Sequence, residues 1–192
     1  MNTEQLNALK DRAYKTAVEH GFHKEERPDA FWLGLVMSEM GEAINADQKG
    51  MHADTKTFEV KPEEWAFDLN FRICIKDSVE DEIADVIIRL LDFAGLRGYK
   101  LDITSMDHVF STQFLLTLKF GDYKLPWIFF NLIGHLYDAV NKDKTDKFVG
   151  TVICVLSDCF EKITGSDKDL WWFVEKKMKY NEQRPKLNGK KY

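Results

Sequence analysis

An all-α helical bundle is the fold class that this sequence predicts. Apolar residues recur three and four positions apart through most of the chain, which is the spacing of one face of a helix. The 192 residues include only four prolines and eleven glycines, so few positions interrupt these periodic segments. No Asn-Gly or Asp-Gly pair lies between alternating apolar runs, and the main sequence signal for a β-hairpin is therefore missing.

The predicted helices of the first half span residues 3–20, 28–49 and 78 to about 95–98. Gly21 and Gly50 end the first two helices, and Pro28 suits the first turn of the second. Ser78, followed three residues later by Asp81, forms a capping box that opens the third helix.

Residues 51–77 form a less regular stretch, with three aromatic residues as packing anchors: Trp65, Phe67 and Phe71. The second half of the chain is predicted to hold four more helices, over residues 103–119, 124–143, 146–164 and 168–182. A second capping box, Ser166 with Asp169, belongs to the last of them. The tail from Gln183 to Tyr192 is basic and predicted to be irregular.

No shift in composition marks a domain boundary, so a single domain is predicted over residues 1–192. Its parts are an acidic metal-binding half, an acid-depleted second half, and a C-terminal helix with a basic tail: residues 1–100, 101–165 and 166–192.

The second half resembles a degenerate copy of the first. Residues Phe31–Asn45 align with Trp127–Asn141 at a fixed offset, and the helices that follow also align. In that alignment the second copy has lost most of its acids, since His135, Asp138, Phe148 and Thr151 take the places of Glu39, Glu42, Glu82 and Asp85. The other explanation is that any two amphipathic helices look alike.

Composition excludes several classes of protein. Hydrophobic residues at 44% and charged residues at 31% are typical of a globular chain, and a net charge of −5 argues against a nucleic-acid-binding protein. The three cysteines lack a Cys-x-x-Cys pair, which favours the reducing cytoplasm. We expect no signal peptide, because the polar residues Asn2 to Gln5 follow Met1. We expect no membrane association, because no apolar run approaches the length of a transmembrane helix.

Carboxylates interrupt the apolar face of the second helix. Trp32, Leu35, Glu39, Glu42 and Ala46 fall on one stripe, so that two acids lie among residues of the predicted core. Trp32 precedes the acids on this stripe and is predicted to be a core residue. The alternative role for its ring is stacking on a molecule bound beside the acids.

The third helix repeats this pattern. Glu82, Val86, Arg89 and Phe93 share a stripe, with Asp85 beside it. Burying several ionised carboxylates is unfavourable unless positive charge compensates them, and a divalent cation does so with few groups. Oxygen ligands without His or Cys favour Mg²⁺, with Mn²⁺ as a substitute. The alternatives are a solvated acidic face and a simple Asp85–Arg89 ion pair one turn apart.

Other catalytic centres lack their sequence signatures. No Glu is followed by His three residues later, as helical di-iron sites require, and no glycine-rich phosphate loop is present.

The two acidic segments resemble the MazG-like all-α nucleotide pyrophosphohydrolases, a superfamily that includes dimeric dUTPases and dCTP pyrophosphatases. The matching segments are SEMGEAINADQKG, from Ser38 to Gly50, and EDEIADVIIRLLDFAG, from Glu80 to Gly95. They hold the superfamily's E-x-x-E and E-x-x-D motifs as Glu39, Glu42, Glu82 and Asp85. The ending KMKYNEQRPKLNGKKY, from Lys177, is similar to that of one subgroup, with Asn188 where a His is frequent.

This resemblance implies a four-helix core and Mg²⁺-dependent hydrolysis of a nucleoside triphosphate to its monophosphate and pyrophosphate. It implies metal binding by the four acids, with Glu39 or Glu42 as the base, and a homo-oligomer, most simply a dimer. The residues expected to contact phosphate or nucleotide are Lys49, Arg89, Lys177, Tyr180, Asn181, Arg184, Lys190 and Tyr192. For Lys49 and Arg89 the alternative role is to neutralise the acids, and for the tail it is a solvated helix end. The rival functions are a non-catalytic helical binding module and a hydrolase of another phosphoanhydride.

Overall fold

The structure, a computed structural model, describes residues 1–60, 66–102, 124–141 and 145–185. Every regular element in these ranges is a helix, which confirms the predicted all-α class. The helices are α1 (Thr3–Glu19), α2 (Asp29–Gln48), α3 (Thr55–Val60), α4 (Phe67–Cys74), α5 (Val79–Leu96), α6 (Leu125–Asn141), α7 (Thr145–Thr164) and α8 (Leu170–Glu182). None of these eight combines the length and the apolar character that crossing a bilayer requires.

Several predicted features lie outside the described residues. They are the helix over 103–119, the anchor Trp65, the tail position Asn188, and the expected nucleotide contacts Lys190 and Tyr192.

The predicted helix ends in the first half are confirmed where a special residue sets them. Gly21 and Gly50 adopt φ values of +85° and +65°, a conformation that glycine reaches without a steric cost. Ser78 caps α5, since its side chain accepts a hydrogen bond from the backbone N–H of Asp81. Pro28 lies one position earlier than predicted, at the N-cap of α2.

The predicted start of the last helix is wrong. Asp169 is the N-cap of α8, and its carboxylate accepts a hydrogen bond from the backbone N–H of Trp172 at 2.8 Å. Ser166 accepts from the N–H of Lys168 instead, in the turn before the helix. An acid can satisfy free backbone N–H groups either as the N-cap itself or from the third position of the helix. The sequence pattern is therefore similar whether the cap is Ser166, as predicted, or Asp169, as observed.

The stretch over residues 51–77 contains the short helices α3 and α4. Phe71 is fully buried and Phe67 packs against the core, as predicted for both.

Helix α5 is the central element. It packs on α1, α2, α7 and α8, while α6 packs on both α2 and α7. Helices α2, α5, α7 and α6 thus form a closed ring of four, and α5 buries 13 of its 18 residues. Four of the buried residues on α5 are acidic: Glu80, Asp81, Glu82 and Asp92.

The ring has the arrangement that two equivalent hairpins would form, with α2 and α5 in one and α6 and α7 in the other. Phe148 and Thr151, which the alignment places opposite Glu82 and Asp85, are both buried in α7. The internal duplication itself stays a prediction, because ordinary bundle packing gives the same contacts.

Gly95 allows α5 to lie close against α1. A Cβ atom at this position would lie 2.4 Å from the Cβ of Tyr14. We expect Gly95→Ala to lower the free energy of unfolding by about 1–3 kcal/mol, because the overlap outweighs the higher helix propensity of alanine. The matched control is Gly34→Ala in α2, where no atom lies within 4 Å of the new Cβ. Urea unfolding that found the two variants equally stable would contradict this account.

Candidate functional site

Three carboxylates of the predicted set converge between α2 and α5. Glu39 and Glu42 on α2 and Glu82 on α5 each offer an oxygen, and these oxygens lie within 4.8 Å of one another. Glu39 and Glu82 are 4% and 5% exposed, as the stripe pattern predicts. Glu42 was expected inside the apolar face but is exposed, because it lies at the edge of the contact with α5. The cluster is therefore open to solvent on the side of Glu42.

The fourth acid of the set, Asp85, lies on the next turn of α5 and is held by Lys177. Lys177 on α8 places its Nζ 2.8 Å from Oδ2 of Asp85 and 2.6 Å from Oδ2 of Asp81. Lys177 is only 4% exposed, and Asp81 is completely buried. Lys177, which the resemblance predicts to contact the nucleotide, thus forms ion pairs with two carboxylates of α5.

Burial and the neighbouring charges raise the pKa of two acids in this region, Glu82 and Asp81. Burial raises the pKa of Glu82 to about 8, and the carboxylates of Asp85, Asp81 and Glu42 add to the shift while Lys177 opposes it. Burial also raises the pKa of Asp81, to about 6. One oxygen of Asp81, Oδ1, is buried without a hydrogen-bond partner among the described residues. Both Glu82 and Asp81 therefore hold their protons more tightly than an exposed acid does.

Arg89 closes the cluster on the side of Glu39. Its Nε donates a hydrogen bond to Oε1 of Glu39 at 2.9 Å. Burial lowers the pKa of Arg89, but the carboxylates of Glu39 and Asp85 outweigh this effect and raise it above the ordinary value. Of the two roles considered for Arg89, the structure shows the neutralisation of an acid, and contact with a phosphate stays a prediction.

A pocket opens beside Glu39 and Asp85, between α1, α5 and α8. The other polar residues in its wall are Thr16, His20, Arg89, Asp92, Asn181 and Arg184. Both ring nitrogens of His20 lie 2.8 Å from carbonyl oxygens, those of Thr16 and Arg184. The two contacts hold the ring between the end of α1 and the residues that follow α8.

A buried histidine–carboxylate pair supports the wall of this pocket. Nε2 of His23 lies 2.7 Å from Oδ1 of Asp92, and both side chains are almost completely buried. The ring of His23 packs between Tyr14 and Trp32, which places Trp32 in the core as predicted. The pair fastens the segment between α1 and α2 to α5.

The other residues predicted to contact the nucleotide lie in three different places. Asn181 and Arg184 line the pocket, and Oδ1 of Asn181 is buried without a hydrogen-bond partner among the described residues. The ring of Tyr180 is buried and stacks on Phe71, with 4.6 Å between the ring centroids. Lys49 is exposed at the C-cap of α2, and the pocket lining does not include it.

Sequence reasoning missed Asp81, His20, His23 and Asp92 as parts of this region. Asp81 carried a visible signal, because it lies next to Glu82, but an acid at the third position of a helix is also an ordinary cap. The two histidines come from the end of α1 and the turn after it, where no periodicity indicates which way a side chain points.

Comparisons of this chain with protein-family models, with curated proteins and with solved structures give no match. The likeness to MazG-like enzymes therefore depends on the two acidic motifs and the tail alone.

Proposed function

We propose that this chain binds Mg²⁺ and hydrolyses a nucleoside triphosphate to its monophosphate and pyrophosphate. The observation that carries the proposal is the convergence of Glu39, Glu42 and Glu82 within 4.8 Å, beside a pocket with arginines in its wall. The MazG-like spacing of the acids along the sequence supports the same activity.

The donor set fits a hard divalent ion. Glu39, Glu42, Glu82 and Asp85 offer only carboxylate oxygens, which Mg²⁺ and Mn²⁺ prefer. Burial, with the neighbouring carboxylates, raises the pKa of Glu82 to about 8, and a bound cation would oppose this shift by favouring the charged carboxylate. When bound, the ion supplies Lewis acidity and neutralises charge on the phosphate chain.

The chain's own groups have separate tasks in this proposal. Arg89 and Arg184 contact phosphate oxygens from the pocket wall, where the planar guanidinium suits two parallel hydrogen bonds. Glu39 or Glu42 accepts the proton of the attacking water. Glu42 is the more accessible of the two, whereas Glu39 is already held by Arg89.

A second candidate function is a non-catalytic helical module that binds a nucleotide or a protein partner. The observation that favours it is Lys177, whose ammonium already pairs with Asp81 and Asp85 and balances part of their charge without any metal. If the chain is such a module, the acids of α2 and α5 and their cationic partners form a structural ion-pair network. Nucleotide binding without turnover would support it.

The test is pyrophosphate release from a panel of ordinary and damaged ribonucleoside and deoxyribonucleoside triphosphates, with and without Mg²⁺. We expect release from at least one of them that requires Mg²⁺ and is lost in Glu42→Ala. The matched control is Asp47→Ala, which removes an acid from the same helix outside the cluster and should leave the rate unchanged. A folded protein that releases no pyrophosphate from any nucleotide with Mg²⁺ or Mn²⁺ would refute the proposal.

A further inference from the structure

Lys177 is the most deeply buried lysine or arginine described in the structure, and it contacts two acids of α5 next to Glu82. Its Nζ contacts one oxygen of Asp81 at 2.6 Å and one oxygen of Asp85 at 2.8 Å, and the side chain is 5% exposed. The ring of Phe71 lies on another side, with its centroid 5.8 Å from Nζ. The ammonium is therefore enclosed by two carboxylates and an aromatic face.

Asp85 connects this ion pair to the proposed metal ligands. It belongs to the E-x-x-D motif with Glu82, and it lines the pocket with Glu39. A divalent ion on the side of Asp81 and Asp85 would have to displace the ammonium. Displacement is unfavourable, because a desolvated ammonium would lose both of its carboxylate partners.

We infer that Lys177 is a tethered cation of this site, which occupies the Asp81–Asp85 side and limits the chain to one divalent ion at Glu39, Glu42 and Glu82. The inference rests on the proposed function, since it takes the cluster to bind a divalent ion. Lys177 is then a positioning residue that fixes Asp85 through an ion pair.

The electrostatics of Lys177 support a permanent charge. Burial lowers the pKa of its ammonium, but the carboxylates of Asp81, Asp85 and Glu82 outweigh burial and raise the pKa above the ordinary value. The two carboxylates at 2.6 and 2.8 Å from Nζ favour the charged form of this lysine.

The experiment counts bound Mn²⁺ per chain in the absence of nucleotide, by equilibrium dialysis with electron paramagnetic resonance of the free ion. The variants are Lys177→Gln, which removes the ammonium, and Lys177→Arg, which keeps a positive charge. We expect one ion in the wild type, two in Lys177→Gln and one in Lys177→Arg. Glu42→Ala should weaken binding in all backgrounds, which assigns the first ion to the cluster.

Two ions in the wild type, or one in both the wild type and a folded Lys177→Gln, would overturn the inference and leave the metal centre standing. No ion in the wild type would overturn both. One ion in the wild type and two in Lys177→Gln, together with no pyrophosphate release, would refute the proposed catalysis and support the tethered cation.

A measurement on the wild type covers the case in which Lys177→Gln does not fold. In protein labelled with ¹⁵N-lysine, the ammonium signal of Lys177 is identified by its loss in Lys177→Arg. We expect slow hydrogen exchange at this ammonium to persist at saturating Mg²⁺. Loss of that protection when Mg²⁺ binds would show that the metal displaces the lysine, and the inference would be wrong.

Discussion

Replacing Glu82 by glutamine is expected to stabilise the protein and inactivate it. Glu82 is 5% exposed, and this burial raises its pKa to about 8, with a smaller contribution from three neighbouring carboxylates. Glutamine has nearly the same shape without the charge. In the absence of divalent ions at pH 8, we expect Glu82→Gln to unfold at a higher urea concentration than the wild type.

The pH dependence of the free energy of unfolding explains why Glu82→Gln should be stabilising. The unfolded chain releases the proton of Glu82 near pH 4.5, whereas the folded protein retains it to about pH 8. Between these values the folded state binds more protons, so the free energy of unfolding falls as pH rises, by up to about 1.4 kcal/mol per pH unit. The advantage of Glu82→Gln should therefore grow from pH 5 to pH 8 and then level off.

Activity should change in the opposite direction. Loss of a metal ligand removes several kcal/mol of charge stabilisation, so pyrophosphate release should fall at least about 100-fold. Glu80→Gln is the matched control, because both carboxylate oxygens of Glu80 are engaged, by His52 and by the N–H of Ala53. It should lose stability and retain Mg²⁺ binding. A Glu82→Gln variant that was less stable than the wild type at pH 8 would contradict the charge argument.

The sequence predicts the helices near the site well, because apolar periodicity and capping residues are local signals. Ser78 and Gly50 mark the ends that the structure shows, and the interrupted stripes identify Glu39 and Glu82 as buried acids. The same stripe misplaced Glu42, because the width of a buried face depends on the angle at which α5 crosses α2. Periodicity alone does not contain that angle.

The sequence does not predict that Lys177 is the partner of the buried acids. Lys177 and Asp81 are separated by 96 positions in the chain, and their contact exists only because α8 packs on α5. The helical pattern places Lys177 near the end of a helix, where a solvated cation is the ordinary expectation. The sequence indicates that the buried acids need a positive charge nearby, but it does not indicate that Lys177 supplies part of that charge.

Removing the ammonium of Lys177 should have the largest effect on stability of any change considered. We expect Lys177→Met to lower the free energy of unfolding by about 3–5 kcal/mol at pH 7 without divalent ions, because Asp81 and Asp85 would lose their shared partner. Urea unfolding followed by circular dichroism measures the difference.

The double variant Lys177→Met with Asp81→Asn separates charge from packing. Asp81 is completely buried, so a bare carboxylate there accounts for most of the expected loss, and its neutralisation should restore about half of it. Asp81→Asn alone should cost less than Lys177→Met, because Asp85 still pairs with the ammonium. If the double variant were no more stable than Lys177→Met, the loss would come from other contacts of the lysine, such as that of its ammonium with the ring of Phe71. The ion pair would then be a consequence of the helix contact rather than a cause of it, because an unpaired carboxylate at Asp81 would not be costly.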